Sequence, residues 1–152
     1  MQISDNGLNL IKSQEGCVLH SYLDTASVPT IGYGTTYYPD GTKVTMHDAA
    51  IGEQQAEEYL QHVVNLTARA VATMVTVTLT QNQIDSLIDF AYNVGTGALH
   101  GSTLLRLVNA NPADPKIRDA FMMWTKIHVD GQLKVSDDLV HRRKAEADLY
   151  FS

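Results

Sequence analysis

Apolar residues recur at helical spacing along most of this chain, with one early interruption. Leu8, Ile11 and Glu15 fall at i, i+3 and i+7, one face of a helix that Ser4 or Asp5 caps and Gly16 closes. Glu15 therefore ends an apolar stripe and points inward. Residues 17–44 read differently. Cys17–Leu23 and Val28–Tyr33 are β-capable, with turn residues at Asp24-Thr25-Ala26-Ser27 and Pro39-Asp40-Gly41-Thr42, which predicts two or three short antiparallel strands. Gly32 and Gly34 inside the second run predict a bulge or a close backbone approach.

Helical spacing then returns. Thr45-Met46-His47-Asp48 resembles a capping box, with Asp at its fourth position. Ala56, Leu60, Val63, Val64 and Ala68 predict a long helix over residues 53–74. Thr80-Gln81-Asn82-Gln83 is a better box, opening Ile84, Leu87, Ile88, Ala91 and Tyr92 as an inward face that Gly95-Thr96-Gly97 ends. Ser102 begins a helix carrying Leu104, Leu105, Leu107 and Val108, and Asn111-Pro112-Ala113-Asp114-Pro115 is a loop. A helix near Lys116–Lys126 holds Phe121 and Trp124. Asp130-Gly131 is a turn, and Asp137/Asp138 start a last helix through Arg142, Arg143, Glu146 and Leu149. The expectation is an α+β fold: a small β-containing lobe over residues 13–52, a connecting helix over 53–74, and a larger helical lobe of 75–152 plus the N-terminal helix.

Composition narrows the function more than the fold. With 152 residues, 44% hydrophobic and 18% charged, the chain has the make-up of one folded domain. Acidic residues outnumber basic ones 17 to 11, for a net charge of -6, which argues against a nucleic-acid partner. The single cysteine, Cys17, allows no internal disulfide and reads as a buried, inert thiol. No metal-binding histidine spacing occurs among the six histidines, so no metal or cofactor is expected. The first residues lack the charged and apolar regions of a signal peptide, and no apolar run approaches the ~20 residues of a membrane span.

The chemistry concentrates in the first 30 residues. Glu15 stands at a helix end, where burial and the negative end of the helix dipole favour the protonated acid; Asp24 lies on a more exposed turn. Two carboxyl groups in opposite environments, one holding a proton and one charged, are what glycoside hydrolysis requires.

Glu15-Gly16, Tyr22-Leu23-Asp24 and Thr30-Ile31-Gly32-Tyr33-Gly34 resemble the phage-type lysozymes of glycoside hydrolase family 24. Thr80-Gln81-Asn82-Gln83 with Phe90-Ala91-Tyr92-Asn93-Val94-Gly95-Thr96-Gly97, then Ser102-Thr103-Leu104-Leu105, then Arg142-Arg143-Lys144-Ala145-Glu146 continue the likeness in order, across nearly the whole chain. The resemblance implies a two-lobed fold and hydrolysis of the β-1,4 bond between N-acetylmuramic acid and N-acetylglucosamine in peptidoglycan, with inversion. It implies Glu15 as general acid, Asp24 as the group that activates water, and Thr30 as the group that positions it. Tyr92 and Ser102 correspond to saccharide contacts braced by Asn93, and Arg142 to the arginine that orients the glutamate. It further implies a monomer acting on glycan strands, held in a host cytoplasm until a holin opens the way to the wall, with no membrane insertion of its own. Two positions depart from the family pattern: Thr35 follows Gly34 where many members carry histidine, and Ser27 stands where a glycine is common. The rival readings are a lytic transglycosylase, which needs one acid and no water, and a wall-binding domain without catalysis.

Overall fold

A computed structural model describes all 152 residues. They sort into two units, Leu8–Leu66 and Met1–Gly7 with Thr67–Ser152. Helix α1 spans Asp5–Glu15, β1 Val18–Leu23, β2 Pro29–Gly32 and α2 Glu53–Met74. There follow α3 (Gln81–Val94), α4 (Thr96–His100), α5 (Thr103–Ala110), α6 (Lys116–Met122), β3 (Lys126–Val129), β4 (Gln132–Val135) and α7 (Asp137–Tyr150). The α+β expectation holds.

In the unit Leu8–Leu66 the buried apolar side chains are Leu8, Ile11, Ile31, Val44, Ala56, Leu60 and Val64. β1 and β2 pair antiparallel with Tyr22 opposite Thr30 and Leu23 opposite Pro29, and a register shift follows before Val18 meets Gly32. Gly32 has φ of 65°, and a Cβ there would lie 3.2 Å from Cβ of Ala56 on α2. The close approach expected at this glycine is present, while the extra residues of the register shift lie on β1, between Val18 and Tyr22.

The capping-box reading of Thr45–Asp48 gives way to a loop clamp. No helix starts there; Asp48 accepts from the Thr45 N–H (2.9 Å), the Thr45 hydroxyl (2.6 Å) and the Tyr38 hydroxyl (2.6 Å). These donors hold the Asp48 carboxyl below the usual range, the Thr45 hydroxyl first. Burial and its own hydrogen bond to Asp48 push the Tyr38 phenol up to about 12. An aspartate served by three donors in a loop has no call on a helix N-terminus.

In the other unit α3 packs on α7, α6 on α7 and on α5, around Leu87, Ile88, Phe90, Leu99, Leu104, Val108, Ile117, Phe121, Ala147 and Tyr150. Phe90 meets Phe121 and Trp124 edge-on, with ring centroids 5.7 Å and 5.6 Å apart. The Thr80 box forms as read: its hydroxyl accepts from the Gln83 N–H, and the Gln83 side chain accepts from the Thr80 N–H. Such a cap stabilises a helix by about 1 kcal/mol.

Two expectations fail in this unit. The helix near Lys116–Lys126 ends at Met122, and residues 126–135 form a hairpin instead. Its turn is Asp130-Gly131, with φ of 50° and 74°, the pair of positive values that a two-residue hairpin turn demands. Around it Lys126, Ile127, His128 and Val129, then Gln132, Leu133, Lys134 and Val135, alternate polar and apolar positions at period two. Thr96–His100, read only as a stop after α3, forms the short α4.

Candidate active site

Glu15, Asp24 and Thr30 all belong to the unit Leu8–Leu66. Glu15 is the last residue of α1 and is half-buried; Gly16 then turns the chain with φ of 66°, the left-handed closure that a side chain would resist.

Asp24 builds its own turn. Its Oδ1 accepts from the backbone N–H groups of Ala26 (2.8 Å) and Val28 (2.9 Å), while its own N–H donates to the Val28 carbonyl (3.0 Å). Both carboxylate bonds fall on one oxygen. Ser27 sits in this turn with φ of 60°, which explains why glycine is common at the position in the family it resembles.

Thr30 is buried, and its hydroxyl donates to the Val28 carbonyl (2.9 Å). Its hydrogen is thereby committed, and its lone pairs are what it offers to a further donor.

The expected contrast in exposure between the two acids is weaker than the sequence suggested. Both are half-buried. They differ in position: Asp24 receives two N–H donors from its own turn, and Glu15 is the last residue of α1. A neighbour ties them together. Burial raises the pKa of the Tyr22 phenol, and the negative charges of Asp24 and then Glu15 raise it further. One side chain thus lies within electrostatic reach of both carboxyl groups.

Cys17 is exposed, so the expectation of a buried thiol is corrected. It follows Gly16 in the link between α1 and β1, where no core forms around it.

The other singled-out residues belong to the second unit. Tyr92 is half-buried near the end of α3. Asn93, next to it and exposed, accepts from Nη2 of Arg143 at 2.7 Å. Ser102 is buried and caps α5: its hydroxyl accepts from the Leu105 N–H (3.0 Å) and donates to the Leu99 carbonyl (2.7 Å). It also borders an open cavity of about 350 Å³ with His100, Thr103, Arg106 and Asn109.

Arg142 and Arg143 are both buried, so neither is a solvated surface base. Arg142 bonds Asp89 at 2.5 Å and approaches Glu146 at 3.5 Å, and Arg143 bonds Glu146 at 2.8 Å while its guanidinium covers the Phe90 ring at 4.8 Å. Burial, the adjacent Asp89 charge and a hydrogen bond to Asp89 push the Glu146 carboxyl up to about 9, against the opposing pull of both arginines. Its Oε2 is buried without a donor, the setting of a carboxylic acid O–H rather than of a carboxylate. Sequence reading missed this cluster. Its one signal is Asp89, an acid inside the apolar run of α3.

Residues 12–146 match the family model described as phage lysozyme. The chain is 36% identical to the endolysin of Salmonella phage P22, over 100% of this chain and 99% of that protein. Among solved structures it is similar to the endolysin from Escherichia coli O157:H7 phage FAHEc1, with a TM-score of 0.93, 39% identity, and coverage of 100% of this chain and 94% of that one. It is also similar to the muramidase domain of SpmX from Asticaccaulis excentricus, with a TM-score of 0.84, 32% identity, and coverage of 99% and 98%. With the family model matching most of its length, this chain belongs to the phage lysozyme family.

Proposed function

We propose that this chain is a cell-wall-lysing muramidase that hydrolyses the β-1,4 bond between N-acetylmuramic acid and N-acetylglucosamine in peptidoglycan. The observation that carries the reading is the shared neighbourhood of Glu15 and Asp24 around Tyr22, in a chain related end to end to an endolysin. Glu15 protonates the leaving glycosidic oxygen. Asp24, its Oδ1 held by two backbone N–H donors, takes a proton from the attacking water. Thr30, its own hydrogen spent on Val28, accepts a hydrogen bond from that water and fixes its approach.

Inversion at the anomeric carbon follows if water attacks from the face opposite the acid, which needs carboxyl groups roughly 6.5–9.5 Å apart. Tyr92, Asn93 and Ser102 as saccharide contacts, and Arg142 as the orienting cation, rest on the family resemblance. So do action as a monomer and release to the wall through a holin. No helix is long and apolar enough to cross a membrane.

Lytic transglycosylation is the second reading. Asp24 disfavours it, because an intramolecular attack needs no base for water. The test uses purified protein with its Glu15→Gln and Asp24→Asn variants on isolated peptidoglycan. Each variant keeps its side chain's shape and is expected to lose at least roughly 10²- to 10⁴-fold in rate. An Asp24→Asn variant that keeps full activity while releasing anhydro-sugar ends would replace hydrolysis by the rival; a fully active Glu15→Gln variant would remove both.

A further inference from the structure

The register of the first hairpin brings a polar group to the acids that the family's acid–base–threonine set does not include. Tyr22 and Thr30 are directly opposite in the β1–β2 ladder, and residues opposite one another in an antiparallel pair project to the same side. Asp24 lies just past the end of β1, but its N–H donates to the Val28 carbonyl and so carries the Tyr22–Thr30 register one pair further; two positions after Tyr22, it falls on the same side. Tyr22 is half-buried, and its ring is anchored on the sheet while its phenol reaches the charges of Asp24 and Glu15. Other tyrosine hydroxyls serve the fold: Tyr38 donates to Asp48 and Tyr150 to the Pro112 carbonyl. The charges acting on Tyr22 come from the turn (Asp24) and from the end of α1 (Glu15). On its own strand His20, two residues back, is exposed.

We propose that Tyr22 is a positioning residue of the acid–base pair, its hydroxyl donating to the Asp24 carboxylate once substrate has displaced water. This deepens the muramidase reading and rests on it. Asp24 Oδ1 already serves Ala26 and Val28, so a donor at Oδ2 fixes the carboxylate's rotation as well as its charge. A neutral phenol suits the task because it gives a hydrogen bond without adding a charge that would also hold Glu15 ionised.

The test is Tyr22→Phe, which keeps the ring and removes the hydroxyl, with kcat, KM and the pH profile of kcat/KM measured on isolated peptidoglycan. Expected are an unchanged thermal unfolding curve, KM within about twofold, and kcat lower by roughly ten- to a hundredfold, the range for a hydrogen bond to a charged group. The acidic limb of the profile, which reports the base, moves to higher pH and the alkaline limb stays. A ring-fluorinated tyrosine at position 22, a stronger donor of the same shape, keeps the rate and moves the acidic limb down. It also serves if Tyr22→Phe fails to fold. Parental kcat with an unmoved acidic limb overturns the assignment, as does a change confined to KM. Glu15→Gln, run alongside, separates the two levels: inactive Glu15→Gln with a parental Tyr22→Phe sinks only the role of Tyr22, and active Glu15→Gln sinks the muramidase reading and this role with it.

Discussion

Two pairs of acids in this molecule face opposite demands. Glu15 and Asp24 are half-buried at a helix end and a hairpin turn, within reach of one tyrosine and open to solvent. Asp89 and Glu146 are fully buried in the other unit, closed in by Arg142, Arg143 and the Phe90 ring. A sealed pair must be neutralised by partners or by retained protons, and it then stabilises the fold while remaining shut to water. A half-open pair stays accessible to a substrate and a water molecule. Perturbation alone therefore does not mark an active site: the Glu146 carboxyl is pushed up to about 9 where it is fully buried.

The sharpest way to break this contrast is to make the same substitution at one acid of each pair. Asp89→Asn removes the charged partner of a buried ion pair with Arg142 and is expected to cost about 3–5 kcal/mol in thermal or denaturant unfolding. Asp24→Asn keeps an oxygen for the Ala26 and Val28 N–H groups and is expected to cost less than about 1 kcal/mol while abolishing lysis. Equal stability losses at the two sites would erase the distinction between them.

A second prediction concerns protons. Glu146 titrates near 9 in the folded chain and near 4.5 when unfolded, so the folded state keeps a proton that the unfolded state gives up between these values. Its contribution to stability is fully present below about pH 4.5 and is lost as pH rises toward 9. Glu146→Gln, which mimics the protonated form, is expected to flatten the melting temperature measured from pH 5 to pH 9. A slope identical to that of the parent would refute the neutral acid.

The smallest effect is expected at Ser27, a side chain held at φ of 60°. Ser27→Gly relieves a left-handed conformation that costs about 1–2 kcal/mol, partly offset by the greater freedom of glycine in the unfolded chain. A gain of up to about 1 kcal/mol in unfolding free energy, with lysis unchanged, is the outcome to measure. A loss of stability would mean that the Ser27 side chain makes contacts the turn needs.

How much of this was legible in the sequence depended on whether each signal was local. The Thr80 box, the glycine closing α1, the two strands around Asp24 and the bounds of α2 are set by neighbours in sequence and were readable. The second hairpin was readable too, since Lys126–Val135 alternates around Asp-Gly; the apolar Phe121 and Trp124 before it pulled the reading toward a longer helix. Thr45–Asp48 misled because Thr and Asp at that spacing can clamp a loop as readily as cap a helix, and only Tyr38, seven residues upstream of Thr45, decides which. The buried cluster was hidden for a different reason. Arg142 and Glu146 lie more than 50 residues from Asp89, and nothing local separates a buried arginine from a solvated one. The acids of the site were legible from their spacing, whereas the strand register that brings Tyr22 opposite Thr30 became visible only in the fold.

The most direct measurement is digestion of isolated peptidoglycan in water enriched in heavy oxygen, with the new sugar ends read by mass spectrometry and their first-formed anomer by NMR. A water activated by Asp24 and a proton given by Glu15 require one heavy oxygen on each new reducing end, first seen in the inverted configuration. Anhydro ends without the label, or labelled ends of retained configuration, would contradict the account.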